Sequence, residues 1–277
     1  MKELLVEQLI KQALIEDMPS GDVTTDYLIT DNNVSKGYFV AKQKGVIAGI
    51  KYLKQVFLYI DPSIQFIEHF QDGTNINKGD IILEIEGKTK SILKGERLAL
   101  NIMQRMSGVA TLTRQFVERV KGTDAKIVDT RKTTPNFRIF EKDAVLLGGG
   151  YNHRFSLSDA VMIKDNHIEA KGGIKEAVTS LRKKISHTTK IEVEVENLEM
   201  LKEALAVKAD IIMLDNMSTD LMIEAVNINQ HQAILEASGN MTLDRVEEVA
   251  KCGVDIISVG ALTHSYSALD ISLRFKI

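Results

Sequence analysis

The chain has 277 residues, of which 44% are hydrophobic and 26% charged, and its formal net charge is -3. This is the make-up of a globular protein long enough for one large barrel or for two domains with separate cores. A balance so near neutral excludes the global basic field of nucleic-acid binders, so any anion site must be local.

Leu4, Leu5, Leu9, Ile10 and Leu14 recur at helical spacing and predict a first helix ending near Pro19. Acidic residues run through it, so it reads as an amphipathic helix rather than a signal peptide. No apolar run anywhere approaches the roughly 20 residues that cross a bilayer, and no membrane partner is expected. The single cysteine, Cys252, excludes internal disulfides and cysteine-rich zinc sites, which suits a reducing, cytoplasmic setting. Residues 16–25, EDMPSGDVTT, read as a polar turn.

From Val34 to Glu86 the pattern changes to short strands at VSKGYFVAK, GVIAGI, SIQFIEHF and DIILEIEG, with a helix over 52–60. A small open sheet packed against helices is expected there. Residues 92–120 return to helical spacing, with a break expected at Ser107-Gly108, and the domain boundary is placed at that break. Beyond it, apolar runs at KIVDT, DAVMIKD, KIEVEVE, ADIIMLD, QAILEAS and VDIISVG alternate with helical stretches. Such alternation predicts βα units and parallel strands, as an incomplete barrel or an open doubly wound sheet.

Ligands of parallel α/β folds bind at the carboxyl ends of the strands. Those ends are Arg131-Lys132, Lys164-Asp165, Glu194 with Glu196, Asp215-Asn216, Ser238-Gly239-Asn240 and Gly260, all of them polar, charged or glycine. The stretch 129–167 adds His153, Arg154 and His167, with too few nearby carboxylates to neutralise the cluster. Lys and Arg are rarely buried without an anionic partner, so a pocket for a ligand with several negative charges is expected. Alternation puts Glu192, Glu194 and Glu196 on one face, which a barrel would turn inward. Glu194 and Asp215 could supply oxygen ligands to Mg²⁺, which takes one or two carboxylates together with substrate phosphate. Ser238-Gly239-Asn240 and Val259-Gly260-Ala261 precede helical sequence and resemble a phosphate grip at helix N-termini. No GxxxxGK[ST] or GxGxxG occurs, against P-loop and dinucleotide enzymes. Gly148-Gly149-Gly150 is read as shaping a turn, and a Schiff base on Lys164 is a competing idea.

In order, DTRKTTP, GGGYNHR, DAVMIKDNH, EVEVEN, IMLDNM, LEASGN and GVDIISVGALTHS closely resemble the quinolinate phosphoribosyltransferases, as do EDMPSGDVTT and GERLALNIMQRMSGVAT. The resemblance spans nearly the whole chain. It implies an N-terminal α/β sandwich plus an incomplete six-stranded α/β barrel, with residues 1–107 and 265–277 in the first domain and 108–264 in the second. It also implies condensation of quinolinate with phosphoribosyl pyrophosphate to nicotinate mononucleotide, pyrophosphate and carbon dioxide, in a homodimer or dimer-based oligomer with a shared active site. By motif, Thr130, Arg131, Lys132, His153, Arg154 and Lys164 would face quinolinate, and Arg97 would reach in from the partner subunit. Glu194 and Asp215 would lie near ribose and Mg²⁺, and Lys132 and Lys164 would join them in catalysis. Ser238, Gly239, Asn240, Val259, Gly260 and Ala261 would hold the 5-phosphate. Asn136, Asp143 and Tyr151 depart from the usual pattern without removing a charged contact. Two rival readings are a relative of the same fold linked to molybdenum transport, which the chain resembles less closely, and a phosphosugar-binding protein without catalysis.

Overall fold

The structure is a computed structural model that describes residues 2–276. The chain begins with α1 (Lys2–Asp17), α2 (Val23–Leu28), β1 (Val34–Ala41), β2 (Gly45–Val46), α3 (Ile50–Ile60), β3 (Gln65–Glu68), β4 (Asn75–Ile76), β5 (Ile81–Lys88) and α4 (Thr89–Arg119). It continues with β6 (Lys126–Val128), α5 (Arg138–Leu147), β7 (Val161–Ile163), α6 (Asp165–Lys171), α7 (Ile174–Arg182), β8 (Ile191–Val195) and α8 (Leu198–Ala206). It ends with β9 (Ile211–Asp215), α9 (Thr219–Asn229), β10 (Ile234–Ser238), α10 (Val246–Lys251), β11 (Ile256–Ser258), α11 (Ala261–His264) and β12 (Ile271–Phe275). Contacts divide it into two units: one holds the chain through Leu112, Thr134–Gly149 and the end from Tyr266, the other Thr113–Thr133 and Gly150–Ser265.

In the first unit an antiparallel sheet of order β12-β1-β5-β3 forms the frame. Its outer strand β12 comes from the far end of the chain, pairing Ala41 with Ile271 and Gly37 with Phe275. Helix α3 buries Leu53, Val56 and Phe57, and the Phe57 ring meets Phe39 of β1 edge-on at 6.1 Å. Such edge-to-face pairs add to the burial of both rings. The first helix forms as its spacing predicts, but its buried stripe is Val6, Ile10 and Leu14, and Leu4 is 67% exposed. The 16–25 segment is not all turn, because Asp22 accepts the Thr25 N–H at 3.0 Å and so caps α2.

The break expected at Ser107-Gly108 is absent, since α4 runs unbroken for 31 residues. Ser107 instead satisfies the Ala48 backbone, accepting its N–H at 3.0 Å and donating to its carbonyl at 3.1 Å. Gly108 is there because a Cβ would lie 2.3 Å from the Ser267 carbonyl oxygen. Small residues inside a helix can thus mark close packing rather than an end.

The second unit holds six parallel strands in the order β6-β11-β10-β9-β8-β7. Chain order is kept around the sheet, and the last strand pairs with the first, Ser258 beside Val128. Only β6 and β7 lack a ladder between them, so the barrel is incomplete at that seam. The strand faces turned away from the cavity are branched apolar side chains, including Val193, Ile212, Leu214, Leu235 and Ile257, all essentially without exposure. α8, α9 and α10 pack apolar stripes such as Leu201 with Ala204, Met222 with Ala225, and Val246 with Val249. Among the described residues, no helix is long and apolar enough to cross a membrane.

Candidate active site

The carboxyl ends of the six strands surround one cavity of about 590 Å³ in the second unit. β6 delivers Thr130, Arg131 and Lys132 to it, and β7 delivers Met162 and Lys164. β8 and β9 contribute Glu194, Asp215 and Asn216, and β10 contributes Glu236 with the Ser238-Gly239-Asn240 turn. Arg97, Val259, Gly260 and Ala261 are not among the lining residues. Arg97 is exposed on α4 in the first unit, and Gly260 lies behind Lys132, whose Cδ would be 3.1 Å from a Cβ there. Ser258, unremarked in the sequence, lines the wall instead of its three successors.

The segment after α5 is set by backbone pairing. The Tyr151 N–H donates to the Ile127 carbonyl at 2.9 Å, and Asp129 N–H donates to the Tyr151 carbonyl at 3.1 Å. Gly149, at φ +92°, supplies the reversal that starts this run. Buried Asp129 then accepts the His153 N–H at 2.8 Å. His153 and Arg154 are thereby held beside the end of β6.

Electrostatically the pocket has two layers. The upper one is cationic. Burial and the Arg131 guanidinium both lower the proton affinity of Arg154, which is a sign of like charges pressed together. Arg131 Nε is buried with no hydrogen-bond partner among the described residues. A buried donor without an acceptor is costly, and a bound anion would relieve both conditions. Lys164 instead has a partner, Glu194, at 2.8 Å. An ammonium held by a carboxylate is not the free amine that a Schiff base needs.

The lower layer is acidic. Glu192 and Glu236, 3% and 1% exposed at the side chain, flank His153 Nε2 at 3.3 and 3.4 Å. Burial opposes charge on His153, but the two carboxylates outweigh it and push the imidazole up to about 10. Burial raises Glu192 against its hydrogen bond with His153, and Glu236 beside it adds to the rise. Coupled groups hold protons jointly. His153 turns Nε2 toward both glutamates, and its Nδ1 lies 2.8 Å from the Arg154 backbone nitrogen. These three side chains have the spacing of a metal site, but a ligating Nε2 would have to be bare, so the trio is a proton-holding floor. Glu192 obeys the alternation read from the sequence, whereas Glu196 lies past the end of β8 and is exposed. Glu236 was missed because its own strand, ILEAS, is otherwise apolar or small.

The two glycine-bearing strand ends do not form a pair of long-helix N-termini. α10 starts only at Val246, and α11 is a single turn of four residues. β10 leads instead into a tight turn through Gly239 at φ +94° and Asn240 at φ +50°.

A barrel mouth that joins a guanidinium-rich pocket to carboxylates and a bare backbone turn defines a class of enzymes that bring two polyanionic substrates together. Residues 22–107 match the N-terminal domain, and 109–274 the C-terminal domain, of the sequence family "Quinolinate phosphoribosyl transferase". The probable nicotinate-nucleotide pyrophosphorylase (carboxylating) of Bacillus subtilis is 42% identical over 99% of this chain and 94% of its own. That of Archaeoglobus fulgidus is 46% identical over 93% and 99%. The crystal structure of NadC from Streptococcus pyogenes superposes with a TM-score of 0.94 at 41% identity, covering 98% of this chain and 97% of that one. The chain belongs to the quinolinate phosphoribosyltransferase family.

Proposed function

We propose that this protein transfers the phosphoribosyl group of phosphoribosyl pyrophosphate to the ring nitrogen of quinolinate. Pyrophosphate and carbon dioxide are released, and nicotinate mononucleotide for NAD biosynthesis is formed. The observation that carries the reading is the orphaned Arg131 Nε beside the crowded Arg154, in a cavity that also holds Glu194 and Asp215. A phosphosugar-binding protein without catalysis would not need those two carboxylates. The curated relatives from Bacillus subtilis and Archaeoglobus fulgidus are pyrophosphorylases rather than transport proteins.

In this reading Arg131, Arg154, Lys132 and Lys164 bind the quinolinate dianion, with planar guanidiniums suited to carboxylates. Thr130 and His153 complete that wall, and the acidic floor fixes the orientation of the His153 ring. The Ser238–Asn240 turn receives the 5-phosphate, and Val259, Gly260 and Ala261 back it. Glu194 and Asp215 stabilise positive charge that grows on the ribose as pyrophosphate leaves. Lys132 and Lys164 hold the quinolinate nitrogen in line with ribose C1, and Lys164 also fixes Glu194. After transfer, the cationic ring accepts the electron pair of the carbon–carboxylate bond, and carbon dioxide departs. No covalent enzyme intermediate is needed.

The hard oxygen donors of Glu194 and Asp215 fit Mg²⁺. When bound there with pyrophosphate, Mg²⁺ would neutralise charge on the leaving group. A mixture of the protein, quinolinate, phosphoribosyl pyrophosphate and Mg²⁺ is expected to form nicotinate mononucleotide and to stop on chelation. Absence of that product would remove the reading.

The assembly in this reading is a homodimer in the cytoplasm. Exposed Val23, Tyr27, Leu28 and Val34, at 73%, 88%, 74% and 65%, give the first unit an apolar surface suited to a second copy. The lone, buried Cys252 suits a reducing compartment. Arg97 would then act across the dimer. Mixing inactive Arg97→Ala with inactive Arg131→Ala protein is expected to restore part of the activity, because hybrid dimers regain one intact site. No recovery in mixed dimers would rule out sharing.

A further inference from the structure

The turns that close β9 and β10 are tied together by side chains that have so far been given no part in the reaction. Asn216 and Asn240 both hold left-handed backbone, at φ +55° and +50°, with Gly239 at +94° beside them. Asn216 N–H donates to the Ser238 carbonyl at 3.0 Å. Its Nδ2 donates to Asp215 Oδ2 at 2.7 Å, and its Oδ1 accepts from Asn240 Nδ2 at 3.2 Å. This amide orientation is forced, since a carboxylate only accepts and must face the NH₂ group. Gly239 is required for the same arrangement, because a Cβ there would lie 2.1 Å from Asn216 Oδ1. Arg245, which does not line the cavity, staples both turns: its Nη1 donates to the Gly239 carbonyl at 3.0 Å and its Nη2 to the Met217 carbonyl at 2.8 Å.

One side chain therefore touches the carboxylate assigned to the ribose end of the site and the turn assigned to the 5-phosphate. The two anionic ends of phosphoribosyl pyrophosphate sit on opposite sides of its ribose. The spacing of their two binding elements thus decides where C1 lies. A fixed spacing holds C1 for in-line attack, and a loose one loses that alignment. The quinolinate wall, from β6 and the segment before β7, shares none of these contacts.

We propose that Asn216 is a positioning residue that, with Arg245, couples Asp215 to the Ser238–Asn240 turn so that phosphoribosyl pyrophosphate is gripped at both ends as one unit. This rests on the proposed phosphoribosyl transfer at the same site. Asn216→Gly tests it, because glycine keeps the positive φ without strain and removes both side-chain bonds. Loss of charge-linked hydrogen bonds of this kind is expected to raise the KM for phosphoribosyl pyrophosphate by about 10- to 100-fold. Quinolinate affinity, measured by calorimetric titration without the second substrate, is expected to stay within about twofold, as for sites with no shared partners. Arg245→Lys, which gives up the two-pronged reach of the guanidinium, is expected to show the same split more weakly. An unchanged KM in Asn216→Gly, or a parallel loss of quinolinate affinity, would overturn the proposal. If Asn216→Gly does not fold, Arg245→Lys decides by the same two measurements. An inactive parent protein would instead count against the reaction itself.

Discussion

Replacing Arg131 by alanine is expected to weaken quinolinate binding by about 100-fold or more while leaving thermal stability unchanged or slightly raised. The loss of affinity comes from deleting charge-assisted bonds worth roughly 3 kcal/mol. The stability expectation is the less usual part. Arg131 Nε has no partner among the described residues, and its charge opposes that of Arg154. Removing it therefore relieves the empty pocket. Arg131→Lys should recover little, because a point charge cannot reproduce a planar two-pronged contact. Calorimetric titration with quinolinate and a melting curve make the check. Undiminished affinity would move the dianion elsewhere in the cavity.

The second large effect lies on the acidic floor. His153→Ala removes a group that both buried glutamates face, and breaking a buried charged set in this way costs about 3–5 kcal/mol. The loss should depend on pH with a definite sign. In the parent, the His153 contribution is complete below its unfolded value of about 6.5 and is lost as pH rises through about 10. Without the imidazole, the two buried carboxylates are left facing each other. Urea unfolding should therefore show a deficit that is larger at pH 6 than at pH 9. Adding Glu236→Gln to His153→Ala should return part of it. Equal deficits at pH 6 and pH 9 would show that the loss is one of packing alone.

Much of this site was legible before folding because the chemistry of parallel strands is local. Each run of KIVDT type announces a strand, and the residue after it must lie at the carboxyl end, so Arg131, Lys164, Glu194, Asp215 and Ser238 could be gathered by position alone. Helix α3 and strands β1 and β5 were equally visible, since their apolar spacing is set by neighbours within one element. The Ser107-Gly108 pair misled because sequence records small size but not its cause. Here the cause is a carbonyl from residue 267, a contact made more than 150 positions away.

What the amino-acid order determined by itself was the alternation of strands and helices in the second unit, and which charged residues end those strands, because both depend on short-range periodicity. Only the tertiary structure decided which of those groups share an environment. It put β12 into the first sheet and β11 against β6, pairings that no local pattern encodes. It also buried Glu192 and Glu236 around one imidazole nitrogen, and hung Asn216 between a carboxylate and a turn from the next strand. The energy of a buried charge or hydrogen bond is set by what surrounds it in space, and only closure of the barrel brings those surroundings together.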